Sequence, residues 1–128
     1  DREGSKIERR TLGAMGNAVV FVGSLWDNFF DTGACIAEGV ETALAMRALG
    51  FEGCVALAGA GRFRTFEPPS MWSKITISGE NDTGASETAW RDAGPRWACE
   101  GHDVIVWRPP AAFKDANDLI KAREARAA

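Results

Sequence analysis

Four short, nearly unbroken apolar runs recur along the chain: Ala34–Ala37 (ACIA), Cys54–Ala58 (CVALA), Lys74–Ser78 (KITIS) and Asp103–Trp107 (DVIVW). Each reads as a buried β-strand. A fifth β-branched run, Ala18–Val22 (AVVFV), predicts a further strand ahead of them. Between the runs the period changes. VETALAMRAL has strong helix formers and stops at Gly50, with Leu44, Ala45, Ala48 and Leu49 able to share one face. GAGRF predicts a turn, then a short helical or irregular stretch to Pro68–Pro69. ASETAWRDAGPRWACEG is helical in pattern, and Gly94–Pro95 predicts a kink or a division into two short helices. An Ala-rich helix is expected from about Ala116. Residues 1–17 read as an irregular lead-in, and residues 23–33 as a loop or hairpin connection.

Apolar strands that alternate with helices indicate a parallel sheet covered on both faces. The expected fold class is α/β: a four-stranded, mostly parallel sheet flanked by helices, plus an extra N-terminal strand. The expected divisions are residues 1–32 as a lead-in packed on the same domain, 33–122 as the core, and 123–128 as a helix end or tail.

Composition narrows the function. At 128 residues, 45% hydrophobic and 26% charged, the chain is one ordinary globular domain. No apolar run approaches the roughly 20 residues that span a membrane. The opening DREGSKIERR is no signal peptide, so a cytoplasmic location without membrane contact is expected. The first residue is Asp1 rather than Met, which suggests a segment of a longer protein. Cys35, Cys54 and Cys99 are odd in number and show no CxxC spacing, so buried free thiols are expected. The single histidine, His102, excludes a multi-His metal site. It sits at a strand entrance and is assigned no role. The absence of tyrosine excludes a tyrosine nucleophile, and a net charge of -3 argues against coating DNA by bulk positive charge.

Ligands of an open parallel sheet bind outside the carboxyl ends of its strands. Acidic residues fall there. Glu38 follows ACIA, Glu80 and Asp82 follow KITISG, and Asp115 and Asp118 follow DVIVW after the loop RPPAAFK. Gly39, Gly79 and Gly84 border them and permit tight turns. Clustered carboxylates repel unless a cation joins them, and hard oxygen donors suit Mg²⁺ or Mn²⁺. Such a cation commonly also holds substrate phosphates.

AEGVETAL, ISGENDTGA and KDANDLI, in this order and spacing, resemble the Toprim domain. That is the metal-binding catalytic domain of bacterial-type DNA primases, type IA and type II topoisomerases, OLD-type nucleases and recombinational-repair proteins. The likeness is greatest to the phage- and plasmid-type primase and primase-helicase branch. It covers about residues 12–122, since TLGAMGNAVVF also resembles that branch's lead-in. The resemblance implies a compact Rossmann-like domain. It also implies Glu38 as acid–base residue and metal ligand, and Glu80 and Asp82 as the metal-binding pair. Asp115 and Asp118 correspond to the downstream acidic pair. Glu80 departs from the family's usual Asp by one methylene. The implied activity is Mg²⁺- or Mn²⁺-dependent nucleotidyl transfer from NTPs, making RNA primers on single-stranded DNA during replication. Zinc-binding and helicase domains of a parent protein are implied partners. A topoisomerase fits least, because strand cleavage there needs a tyrosine.

Simpler roles stand beside these. Glu38 and Glu41 are also favourable charges at a helix N-terminus. Glu80 and Asp82 fit an Asx-type turn, and Asp115 with Asp118 fits a capping box. GAGRF is either a tight turn or a phosphate contact through backbone N–H groups and Arg62. Gly39, Gly84, Arg62 and Lys114 are the candidate phosphate or nucleic-acid contacts. Trp90 and Trp97, seven apart, are expected in the core. Two other functions share these residues: an OLD-type metal-dependent nuclease, and a non-catalytic nucleic-acid or interaction module with a degenerate metal site.

Overall fold

The computed structural model describes residues 18–22, 33–59, 61–81 and 85–127, with the backbone alone for 85–88. Five strands form one mixed sheet: β1 (Val20–Phe21), β2 (Ala34–Ala37), β3 (Cys54–Ala56), β4 (Lys74–Ser78) and β5 (Asp103–Trp107). Four helices are interleaved: α1 (Val40–Ala48), α2 (Arg62–Thr65), α3 (Ala85–Cys99) and α4 (Ala116–Ala127). The strand order is β1-β3-β2-β4-β5, with β1 antiparallel to β3 and every other pair parallel. This is the expected α/β sheet with an added N-terminal strand. The expected strands at 34–37, 74–78 and 103–107 have those bounds. Two are shorter than their apolar runs. β1 keeps Val20 and Phe21, and β3 ends at Ala56 because Ala58 turns to φ 63°. The expected lead-in 1–17 and connection 23–32 lie outside the described residues.

Alternate side chains of the central strands go to opposite faces, and each face has its own cover. Ile36, Val55, Leu57, Ile75 and Ile77 pack with Phe63 and Phe66 of the α2 segment and with Trp90, Ala93 and Trp97 of α3. Cys35, Ala37, Cys54 and Ala56 pack with Ala43, Ala45 and Met46 of α1 and with Ala116 of α4. Trp90 and Trp97 are core residues, as expected.

Two helix expectations are corrected. α1 buries Thr42, Ala43, Ala45 and Met46, whereas Leu44 and Ala48 face outward, Leu44 at 50% exposure. The face of α1 turned to the sheet carries Ala43, Ala45 and Met46, which leaves the more apolar Leu44 outside. Second, α3 runs unbroken through Gly94–Pro95. An interior proline costs about 3 kcal/mol. Ala89, Trp90, Ala93 and Trp97 form one buried face across it, and each large side chain buried there returns roughly 1.5–3 kcal/mol. The segment beyond Pro95 is also tied down. Arg96 donates to the carbonyls of Phe63, Arg64 and Phe66, and the Trp97 indole donates to Phe66. These bonds satisfy the last carbonyls of α2.

His102 is buried just before β5, and its Nδ1–H donates to the Trp72 carbonyl at 2.6 Å. That is a structural role. Cys35 and Cys54 are buried free thiols as expected, but Cys99 at the end of α3 is exposed. No described helix is long and apolar enough to cross a membrane.

Candidate metal and nucleotide cleft

β2 and β4 are parallel neighbours with Ile36 opposite Ile77, so Glu38 and Glu80 leave the sheet side by side at its carboxyl edge. They line one cleft of about 420 Å³ with Gly39, Glu41, Thr42 and Lys114. Three glutamates and one lysine thus share a small volume. Glu38 and Glu80 are half-buried, and Glu41 and Lys114 are exposed.

The β3–α2 turn fixes Glu38 from behind. The amides of Ala58 and Gly59 both donate to the Glu38 carbonyl, at 2.8 and 3.2 Å. To reach it, Ala58 takes φ 63°, a left-handed conformation that costs a non-glycine residue roughly 1–2 kcal/mol. Strain of this kind persists where surrounding contacts over-determine it. Beyond β4 the chain passes very close to β5. A Cβ at Gly79 would lie 3.0 Å from Val106 and 3.1 Å from the Trp107 carbonyl, so a side chain there would have to displace the end of β5 slightly. At Gly39 a Cβ would meet nothing within 4 Å, so that glycine leaves open space at the start of α1.

Asn81, to which the sequence reading gave no role, organises the loop Arg108–Lys114. Its Nδ2 amide donates to the carbonyls of Pro109 (2.8 Å), Phe113 (3.0 Å) and Pro110 (3.2 Å). Its backbone N–H donates to the Lys114 carbonyl at 2.7 Å. An amide NH₂ has two hydrogens, so one is shared. No local sequence signal marks it, because every acceptor of its amide lies on a loop far along the chain.

The other candidates separate. Glu38, Glu80, Gly39 and Lys114 come together in the cleft. Asp115 and Asp118 do not line it. Asp115 Oδ1 accepts the Asp118 N–H at 2.9 Å, the geometry of an N-cap on α4. Asn117 donates to Glu41 Oε2 at 3.4 Å and links the first turns of α4 and α1. Arg62 also lies outside the cleft lining, and its guanidinium donates to the Leu57 carbonyl at 2.8 Å, closing the glycine-rich turn onto β3. Asp82 and Gly84 lie outside the described residues. A second cavity of about 370 Å³, lined by Gly33, Phe51, Lys74 and Asp103, is at the amino edge of the strands, remote from Glu38 and Glu80.

Glu38 and Glu80 are hard oxygen donors from two rigid strand ends. Mg²⁺ needs one or two such carboxylates, with waters and substrate oxygens completing its shell. The donor chemistry therefore fits a divalent cation. Among the described residues, no group of three or more acidic, histidine or cysteine side chains converges as a metal cage.

An α/β domain with an acidic cleft at the carboxyl edge of its central strands is the class so defined. The chain belongs to the Toprim domain family, whose model matches residues 34–125. No curated protein and no solved structure matches the chain significantly. Toprim domains generally bind Mg²⁺ and typically occur in enzymes, among them primases, topoisomerases and nucleases.

Proposed function

We propose that the chain is the catalytic domain of a primase-type nucleotidyltransferase of the phage or plasmid primase-helicase branch, acting in DNA replication. A 3′-hydroxyl attacks the α-phosphate of an NTP paired to a single-stranded DNA template, and pyrophosphate leaves. The observation that carries this reading is the shared lining of one cleft by Glu38, Glu80 and Lys114 in a Toprim domain. Glu38 and Glu80, with Asp82, are the residues to hold Mg²⁺ or Mn²⁺. The bound cation supplies Lewis-acid polarisation and neutralises phosphate charge. Glu38 is placed in the reading as the base that takes the hydroxyl proton. Lys114 attracts the triphosphate, and the open N-terminus of α1 at Gly39 adds favourable partial charge. Zinc-binding and helicase domains of a parent protein are the proposed partners, and the cytoplasm the proposed compartment.

NTP incorporation on a single-stranded template, with Mg²⁺ and with Mn²⁺, tests the reading. Glu38→Gln should abolish incorporation while thermal unfolding stays within a few degrees of the parent chain. Undiminished incorporation by Glu38→Gln overturns the assignment. Two other readings are outcomes of companion assays. Nicking of supercoiled plasmid without incorporation identifies an OLD-type nuclease, which directs water to the same phosphorus. Absence of calorimetric Mn²⁺ binding identifies a non-catalytic module. The feature favouring that last reading is Glu80, where the family usually carries Asp.

A further inference from the structure

β5 ends the sheet, and its outer side pairs with no strand among the described residues. The opposite edge is β1, which spans only two residues, whereas β5 spans five in unbroken parallel register with β4. The backbone shows which groups are left over. The Asp103 N–H donates to the Ser73 carbonyl and the Trp107 carbonyl accepts from Gly79, so the odd-numbered residues of β5 bond inward to β4. Successive residues of a strand alternate in direction, so the N–H and C=O groups of Val104 and Val106 point out from the free edge. The side chains leave that edge bare as well. Ile105 is 58% exposed on the face that carries Trp107, where it borders the 370 Å³ cavity with Phe51 and Thr76. Val106 is 43% exposed on the face that carries Val104. Native sheets guard such an edge with lysine, proline, a bulge or a very short strand. DVIVW has none of these, and its one charge, Asp103, stands at its first position.

We propose that two copies of this chain pair through β5, antiparallel, about a two-fold axis at Ile105. Two-fold pairing of edge strands is antiparallel, and residues that face each other lie on the same face of the sheet. The register centred on Ile105 meets this condition and pairs all five residues of the strand. It sets Val104 against Val106 of the second copy, and Val106 against its Val104, each pair exchanging both backbone hydrogen bonds. Ile105 meets Ile105 of the second copy at the axis, in the closer, non-hydrogen-bonded kind of pair. Charge selects the same arrangement. Parallel strands would bring the two Asp103 carboxylates together, whereas this register sets them about 13 Å apart along the strand, each against Trp107 of the other copy. The two sheets become one, and their carboxyl edges lie at opposite ends, so both acidic clefts stay open. The pairing does not depend on the chemistry assigned to the cleft. One strand pair buries less than the roughly 1,200–2,000 Å² of a stable complex, so the dimer is reversible and concentration-dependent.

Sedimentation equilibrium of the 128-residue chain over roughly a hundredfold range of concentration should show a monomer–dimer equilibrium. Ile105→Lys, which sets two ammonium groups against each other at the axis, should weaken association by roughly tenfold or more. Val106→Pro removes an outward N–H and no bond to β4, and should do the same. Leu44→Lys, at a similarly exposed site on α1, should leave association within about twofold of the parent. Amide hydrogen exchange read residue by residue gives the register. The Val104 and Val106 amides should slow as concentration rises, while those of Ile105 and Trp107 are protected at every concentration. A parent chain that stays monomeric, undiminished association in Ile105→Lys and Val106→Pro, or an equal loss in Leu44→Lys overturns the proposal. Dimers in which the Val104 and Val106 amides stay fast also overturn it, since another surface then joins the copies. Slow exchange at those amides that is independent of concentration overturns it too, and assigns the edge to another segment of the same chain.

Discussion

The amide of Asn81 and the carbonyl of Lys114 are joined at 2.7 Å, which couples the end of β4 to the loop that precedes α4. The Asn81 side chain adds bonds to the carbonyls of Pro109, Pro110 and Phe113. A residue between Glu80 and Asp82 thus sets the position of the cation on the opposite wall of the cleft. Asn81→Asp keeps the shape and replaces a donor by a negative acceptor facing three carbonyl oxygens. It should destabilise the chain by about 1–2 kcal/mol in urea unfolding. Asn81→Ala should cost about 1 kcal/mol or less, because water reaches the freed carbonyls on the exposed side of the loop. An equal or smaller loss in the Asp variant would show that the amide donors do not hold the loop.

Lys114 shares the cleft with Glu38, Glu41 and Glu80, so its charge opposes any cation entering there. Lys114→Met should tighten Mn²⁺ binding by an amount on the order of 1 kcal/mol, about fivefold, at low salt. The same change should weaken triphosphate binding, since an attractive charge is lost. Calorimetry with Mn²⁺ alone, then with a nucleoside triphosphate, reads both signs. Parallel losses of both affinities would mean that Lys114 orders the loop rather than tuning the charge.

ACIA and KITIS were legible because a strand covered on both faces reads as a continuous apolar run, and the edge strand DVIVW carries the same run although Ile105 and Val106 are exposed. The carboxyl-edge rule then brought Glu38 and Glu80 to one cleft without knowledge of any contact. What failed was decided by packing. Leu44 is more apolar than Ala43, but the face of α1 that packs on the sheet carries Ala43, Ala45 and Met46 and leaves Leu44 outside. Pro95 is a helix breaker in isolation, and the buried face from Ala89 to Trp97 overrides it. Asp115 looked equally like a ligand and a cap, and only its bond to the Asp118 amide shows the cap. Asn81 stayed invisible because its partners are carbonyls about 30 residues away.

Gly94 sits inside α3 beside Pro95, where its missing side chain weakens the helix. A Cβ there would lie 3.9 Å from both Ile77 and Val104, an ordinary packing distance. Gly94→Ala should therefore combine higher helix propensity with added apolar contact and stabilise the chain by roughly 1 kcal/mol. For a domain of this size that is a rise in Tm of several degrees. A lower Tm would mean that β4, β5 and α3 are packed too tightly to admit a methyl group.

Cys35 and Cys54 are register partners on β2 and β3, both almost fully buried. The Cys35 thiol is held far above its ordinary value of 9.0 by its hydrogen bond to Cys54, by burial, and by the repulsion an ionised Cys54 would exert. In the unfolded chain the thiol ionises near its ordinary value, whereas in the folded chain it keeps its proton. Below about pH 9 both states hold the proton, and stability is unaffected. Above it the unfolded state binds fewer protons, so stability falls as pH rises, with a slope approaching 1.4 kcal/mol per pH unit for this thiol. Urea midpoints between pH 8 and 10.5 should show that decline, and Cys35→Ala should lessen it by about that slope. A thiol reagent at pH 8 should modify exposed Cys99 quickly and Cys35 and Cys54 only on unfolding. Equal alkaline slopes in the parent and the Cys35→Ala chain would show that the buried thiol ionises in place.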